Sequence, residues 1–246
     1  MTAAELKTVA SLGKKKFRDE TGLFVVEGEK MVSEALDSGF EVVSVFRIED
    51  IGQKNMERIS SLASPSPVLA VLKQPESVKN HKPFPLDKGL YLALDSIRDP
   101  GNLGTILRIA DWFGIDAVFA SEDTVELFNP KVVQATMGAI FRVPFHYCDI
   151  PFLCKSVVSE GGSVYGTFLD GDNMYGKDLN IGTDSPSVIV IGNESNGISK
   201  GVASFVTDRL FIPPYPADDP GSESLNAAVA TAITVAEFRR RKYNTK

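Results

Sequence analysis

The chain has 246 residues, 43% hydrophobic and 24% charged, with a net charge of −6. It can bury a sizeable core, and it lacks the surplus of cations with which a protein coats nucleic acid through bulk charge. No apolar run is long enough to span a bilayer, and Met1-Thr2-Ala3-Ala4-Glu5-Leu6-Lys7 has no apolar leader core, so a cytoplasmic protein with no membrane partner is expected.

In chain order, residues 1–80 read as a small α/β unit. Helices are predicted over 2–12, 28–38 and 52–62. Strands are predicted at Leu23-Phe24-Val25-Val26, Val42-Val43-Ser44-Val45-Phe46 and Val68-Leu69-Ala70-Val71-Leu72. The basic run Lys14-Lys15-Lys16-Phe17-Arg18 falls in the loop between the first helix and the first strand. The polar stretch 79–89, with Pro83 and Pro85, reads as a linker and divides the chain into domains 1–82 and 88–246. Beyond it, strands near 90–95, 116–120, 143–146, 163–168, 187–192 and 209–212 alternate with helices near 102–113, 129–139, 151–160, 198–204 and 223–241. That alternation predicts an α/β domain with a mostly parallel sheet covered on both faces. The closing Arg239-Arg240-Arg241-Lys242 suits the negative end of the last helix, with RNA contact as the alternative reading.

In an open α/β sheet, ligands bind outside the carboxyl ends of the strands, and three stretches sit where an apolar run ends. In Asp99-Pro100-Gly101-Asn102-Leu103-Gly104, Pro and Gly force a tight turn into a helix whose first N–H groups are open to an anion. Arg108 lies one helical turn beyond Gly104 and can point back over that turn. Ile191-Gly192-Asn193-Glu194-Ser195-Asn196-Gly197 ends a buried strand in glycines, which allow close backbone approach, with the Glu194 carboxylate between them. The third stretch, Ile212-Pro213-Pro214 through Ser224-Leu225-Asn226, runs from a strand into the last helix, which Ser222 or Ser224 can cap. Cys148 and Cys154 read as incidental thiols. With His81 and His146 the sole histidines, neither a metal site nor a Ser-His-Asp triad is expected.

Together these stretches resemble the SpoU/TrmH family of RNA ribose 2′-O-methyltransferases, within the SPOUT superfamily. The segment Asn129-Pro130-Lys131-Val132-Val133 with Ala135-Thr136-Met137-Gly138-Ala139 is similar to the family's connecting segment. Lys14–Arg18 with Gly22-Leu23-Phe24-Val25-Val26-Glu27-Gly28 is similar to the small ribosomal-protein-like RNA-binding domain that many members carry. The resemblance implies a C-terminal sheet threaded into a trefoil knot, a homodimer, and S-adenosylmethionine as cofactor. It implies that Gly192, Ile212 and Leu225 hold that cofactor, that Arg108 is catalytic, and that Asn102, Glu194 and Asn226 arrange the pocket. Lys14, Lys15, Lys16 and Arg18 would bind the RNA, ribosomal or transfer. Two departures stand out. The connection from Pro213 to Glu223 is longer than is usual in the family, and Ala228 replaces a hydroxyl residue found in many relatives. A non-catalytic RNA-binding or ribosome-assembly protein and a SPOUT enzyme methylating a base are the alternatives. Asp99–Gly104 lacks the Gly-x-Gly-x-x-Gly fingerprint that a Rossmann oxidoreductase would need.

Overall fold

The computed structural model describes residues 1–79, 86–216 and 223–244. The linker prolines Pro83 and Pro85, His81, and Ser222 of the long third-motif connection lie outside the described residues. The chain begins with α1 (Ala3–Ser11), α2 (Lys15–Thr21), β1 (Leu23–Glu27), α3 (Glu29–Asp37) and β2 (Val42–Arg47). There follow the one-turn α4 (Ile48–Ile51), α5 (Gln53–Ile59), β3 (Val68–Lys73) and the short α6 (Glu76–Lys79). Next come β4 (Gly89–Leu94), α7 (Pro100–Trp112), β5 (Val118–Ala120), α8 (Pro130–Thr136), β6 (Phe145–Tyr147) and α9 (Ile150–Ser159). The chain closes with β7 (Ser163–Asn173), β8 (Pro186–Ile191), the one-turn α10 (Lys200–Ala203), β9 (Asp208–Phe211) and α11 (Ala227–Asn244).

Two compact units emerge. The first comprises Met1–Glu76 together with Glu126–Arg142, and the second comprises Ser77–Val125 and Val143–Lys246. The sequence expectation ran the second domain unbroken from residue 88, whereas 126–142 packs within the first unit.

In the first unit, β3 lies between β1 and β2, antiparallel to both. Strand alternation sends Leu23, Val25 and Phe46 to a face covered by Leu6, Val9 and Leu12 of the α1 region and Met56 and Ile59 of α5. The 126–142 segment is held in the same unit by aromatic contacts, Phe24 with Phe128 at 4.5 Å and Phe40 edge-on to Phe141 at 5.2 Å. An ion pair joins it further. The Arg18 guanidinium donates to both oxygens of Glu126, with Nε at 2.9 Å, and to the Leu12 carbonyl at 2.8 Å.

This overturns one expectation. Arg18 is 2% exposed and its donors are spent on Glu126 and Leu12, so it does not share an RNA-binding role with Lys14, Lys15 and Lys16, which are exposed. The basic run is also not a loop. It forms α2, which ends at Gly22 with φ 66, a left-handed position suited to glycine. The helix lacks an apolar stripe because an arginine is its inward residue, so hydrophobic periodicity could not find it.

The second unit is a six-stranded sheet in the order β6-β5-β4-β8-β7-β9, every pair parallel. On one face Tyr91, Ala93, Phe119, Val188 and Val190 pack against Ile150, Leu153, Cys154, Val157 and Val202 of α9 and α10. Leu90, Leu92 and Leu94 alternate to the opposite face and are equally buried. There α11 sets Phe238 edge-on to Tyr165 of β7 at 5.0 Å. The closing arginines are anchors: Arg239 donates to the carbonyls of Phe113 and Gly114, and Arg241 to those of Met174, Tyr175 and Lys177. Burial pushes both thiols up to about 12, so Cys148 and Cys154 are poor nucleophiles. No helix among the described residues is long and apolar enough to cross a membrane.

Removing one partner of a buried, hydrogen-bonded ion pair strands the other, at a cost of about 3 kcal/mol, while an apolar pair of similar volume is close to neutral. Arg18→Ala should therefore lower the urea midpoint of unfolding markedly. The double variant Arg18→Met, Glu126→Leu should recover most of the loss. Equal midpoints for Arg18→Ala and the native chain would refute the assignment.

Candidate functional site

The site is built on the neighbouring strands β4 and β8. Their parallel register pairs Leu94 with Ile191, so the chain leaves the sheet at Asp95 and at Gly192 on the same level. β5 and β6 lie to one side of this pair and β7 and β9 to the other. Strand order reverses here, which is where open parallel sheets bind ligands.

Each exit is tightly determined. The buried Asp95 accepts from the Ser199 amide at 2.7 Å, and the Asp95 amide donates to the Ile191 carbonyl at 2.9 Å. Ser96 follows with φ 63, a left-handed conformation costing about 1 kcal/mol for a residue with a side chain. Its amide donates to Ser121 Oγ at 2.8 Å, and its hydroxyl to Asp123 at 2.6 Å. The Ser96 and Ser121 hydroxyls on Asp123 hold that carboxyl below the usual range. Asp99 then caps α7, accepting from the Asn102 amide at 2.8 Å, with Pro100 in the first turn. At the second exit, a Cβ on Gly192 would overlap the Gly197 carbonyl carbon and the Ile198 nitrogen. Only glycine fits there, because Asn193 and Gly197 pair back on each other through both backbone groups.

The third stretch closes the site through a chain of directed hydrogen bonds. Asn226, rather than Ser224, caps α11, its Oδ1 accepting from the Ala228 and Val229 amides at 2.9 and 3.3 Å. That bond fixes the amide orientation, leaving Nδ2 to donate to Asn102 Oδ1 at 2.9 Å. Asn102 must then turn its own Nδ2 to Glu194, and it does so at 2.5 Å. Nothing in the row is free to flip: helix amides orient Asn226, Asn226 orients Asn102, and Asn102 presents a donor to a carboxylate.

The structure thus brings Asn102, Glu194 and Asn226 together from three separated stretches. It does not bring Arg108 into that row. Arg108 is exposed on α7 with Thr105 and Trp112, one stripe of the helix, and makes no hydrogen bond or ion pair among the described residues. Gly192 stands at the exit of β8, Ile212 just beyond β9 and Leu225 just before Asn226. No backbone hydrogen bond among the described residues engages any of the three. Among the described residues, no cluster of His, Cys, Asp and Glu could hold a metal ion.

Sequence reasoning missed Asp95, Ser96 and Asn193, which tie the two exits together. An Asn followed four residues later by Gly at a strand end, the signature of a side chain closing its own turn, was the available signal for Asn193.

Gly192→Ala is expected to destabilise the protein by about 2 kcal/mol, as a forced backbone displacement does in a well-packed setting. A differential scanning calorimetry trace matching that of the native chain would show that the exit tolerates a side chain.

Residues 89–236 match the model of the SpoU rRNA Methylase family, and residues 3–74 match that of an MRM3-like substrate binding domain. The 23S rRNA (guanosine(2553)-2′-O)-methyltransferase RlmP of Bacillus subtilis is 30% identical, over 96% of this chain and 96% of its own. Among solved structures, a TrmH-family protein from Porphyromonas gingivalis superposes with a TM-score of 0.86. It is 37% identical, with 98% of this chain and 99% of that one covered. An AdoMet-bound rRNA methyltransferase from Sinorhizobium meliloti superposes with a TM-score of 0.82 at 29% identity, covering 98% and 96%. The family model spans more than half of the residues, including all three strand-end stretches, and the chain belongs to the SpoU rRNA methylase family.

Proposed function

We propose that this protein transfers a methyl group from S-adenosylmethionine to a ribose 2′-hydroxyl of RNA, ribosomal RNA being the favoured substrate, and that it works in the cytoplasm as a homodimer. The observation that carries the reading is the Asn226–Asn102–Glu194 row at the point where strand order reverses. The likeness to RlmP over nearly the whole length supports ribosomal RNA. The trefoil knot belongs to the same reading, as the path that would carry Ile212 and Leu225 to Gly192.

S-adenosylmethionine supplies a methyl group on a positively charged sulfur, already activated toward attack. What remains for the protein is to position the acceptor hydroxyl and assist loss of its proton. Backbone groups at Gly192, Ile212 and Leu225 would hold the cofactor, and Asn102, fixed from both sides, shapes the pocket wall. A guanidinium is a donor and not a base in proteins, so the task of Arg108 is electrostatic. A guanidinium without a protein partner suits a phosphate beside the target ribose and the charge developing on the attacking oxygen. The stripe that carries Arg108 also exposes Trp112 at 85%, and the first turn of α11 exposes Val229 at 47%. Two such apolar side chains on packed helices suit burial against a second copy.

Lys14, Lys15 and Lys16 would contact RNA phosphates. Lys15 and Lys16 pair with Asp19 and Glu20 one turn on, but exposed pairs of this kind contribute well under about 1 kcal/mol and do not withhold the cations.

Mapping of 2′-O-methyl positions in total RNA, with and without the protein, should reveal a ribose methylation that depends on it. Arg108→Ala should lower kcat by about 100-fold, the scale for losing one preorganised charge stabiliser, while calorimetric cofactor affinity stays unchanged. Full methylation by that variant would eliminate the assignment. Replacing Lys14, Lys15 and Lys16 by Ala should weaken RNA binding and reduce its log–log salt slope by up to about 3, roughly one for each phosphate left without its lysine. A collapse of cofactor affinity in that variant would contradict the division of labour.

A further inference from the structure

We infer that Asn193 is a positioning residue that sets Glu194 against Asn102, acting through a tie to the strained Ser96. The inference rests on the reading of Asn102 and Glu194 as part of the methyl-transfer site.

Asn193 uses every polar group it has. Its backbone amide and carbonyl pair with Gly197 at 3.0 and 2.8 Å, which closes the loop carrying Glu194. Its Oδ1 accepts from the Ser195 and Asn196 amides at 2.9 and 3.2 Å, which turns the inside of that loop into a fixed ring of donors. Its Nδ2 then reaches out of the loop to the Ser96 carbonyl at 2.7 Å. Ser96 is held from its other sides by Ser121 and Asp123, so the carbonyl that receives Asn193 is an anchored point.

Geometry makes the consequence specific. Glu194 is exposed, and among the described residues its side chain hydrogen-bonds Asn102 alone. The loop is fixed by side-chain and backbone bonds to the exit of β4, one from Asn193 and one from Ser199 to Asp95. α7, with Asn102 in its first turn, starts from that same exit. Asn193 therefore references the carboxylate and its amide donor to one rigid frame. A displacement near 1 Å at a catalytic contact can cost about 100-fold in rate without altering ground-state affinity.

The test uses the full chain with Asn193→Ser, whose hydroxyl can still accept from the loop amides but cannot reach Ser96. We expect kcat to fall by about 10- to 100-fold, with the calorimetric Kd for S-adenosylhomocysteine and the KM for RNA within about threefold of native and the melting temperature nearly unchanged. In a Glu194→Ala background the same substitution should cost nothing further, because a residue acting through another has no effect once that other is gone. If Asn193→Ser unfolds readily, Asn193→Asp, which keeps the loop acceptor and loses the donor, replaces it in the cycle. A native kcat in Asn193→Ser, or an equal loss in both backgrounds while Glu194→Ala is itself impaired, overturns the inference alone. A native kcat in Glu194→Ala overturns the reading of the site, and the inference with it.

Discussion

The parallel pairing of β4 with β8 is the constraint on which the rest of this structure depends. Because the strands run the same way and pair Leu94 with Ile191, two loops distant in sequence leave the sheet at one level and on one side. Reversing either strand would put the Gly192 loop at the opposite edge from Asp99 and α7. The buried aliphatic side chains on both faces of the two strands enforce the register, since a slip of one residue would exchange the sets packed against the two helix layers. Specific polar bonds then build upon that register: Ser199 to Asp95, Asn193 to Ser96, Asn102 to Glu194.

Those bonds organise direction more than they add stability. A hydrogen bond between partly solvated groups is worth about 1 kcal/mol net, and the row from Asn226 to Glu194 is largely exposed. Its value is that the α11 amides settle which end of each Asn faces which neighbour. In the first unit the balance is the opposite. Arg18 is buried and its partner Glu126 largely so, and the pair holds 126–142 in place, at the expense of a cation that the family resemblance assigned to RNA.

The same residue type serves different ends according to burial. Arg18, Arg239 and Arg241 spend their donors on a carboxylate or on carbonyls, while Arg108 keeps its donors free of protein partners among the described residues. Sequence context pointed the right way for the closing arginines, whose position suited a helix terminus. It misled for Arg18, because a run of cations reads as a solvated patch unless the buried carboxylate opposite is known, and Glu126 lies far along the chain.

Most of the element pattern was legible in the residues. Apolar runs at strand length, Pro and Gly at strand exits, and the alternation of strand and helix determined an α/β chain with a parallel sheet and ligand-type turns at three strand ends, because these depend on local periodicity and backbone preference. Helix boundaries slipped where capping decided them: α11 starts behind an Asn226 cap rather than at Ser224, and α8 stops at Thr136, before Met137 with φ 50. Only the tertiary structure decided that 126–142 completes the first unit, that Arg18 is an internal staple, and that Asn102, Glu194 and Asn226 touch while Arg108 faces outward. Each of those outcomes rests on contacts between residues far apart in the chain, and no local rule of spacing or propensity carries that information.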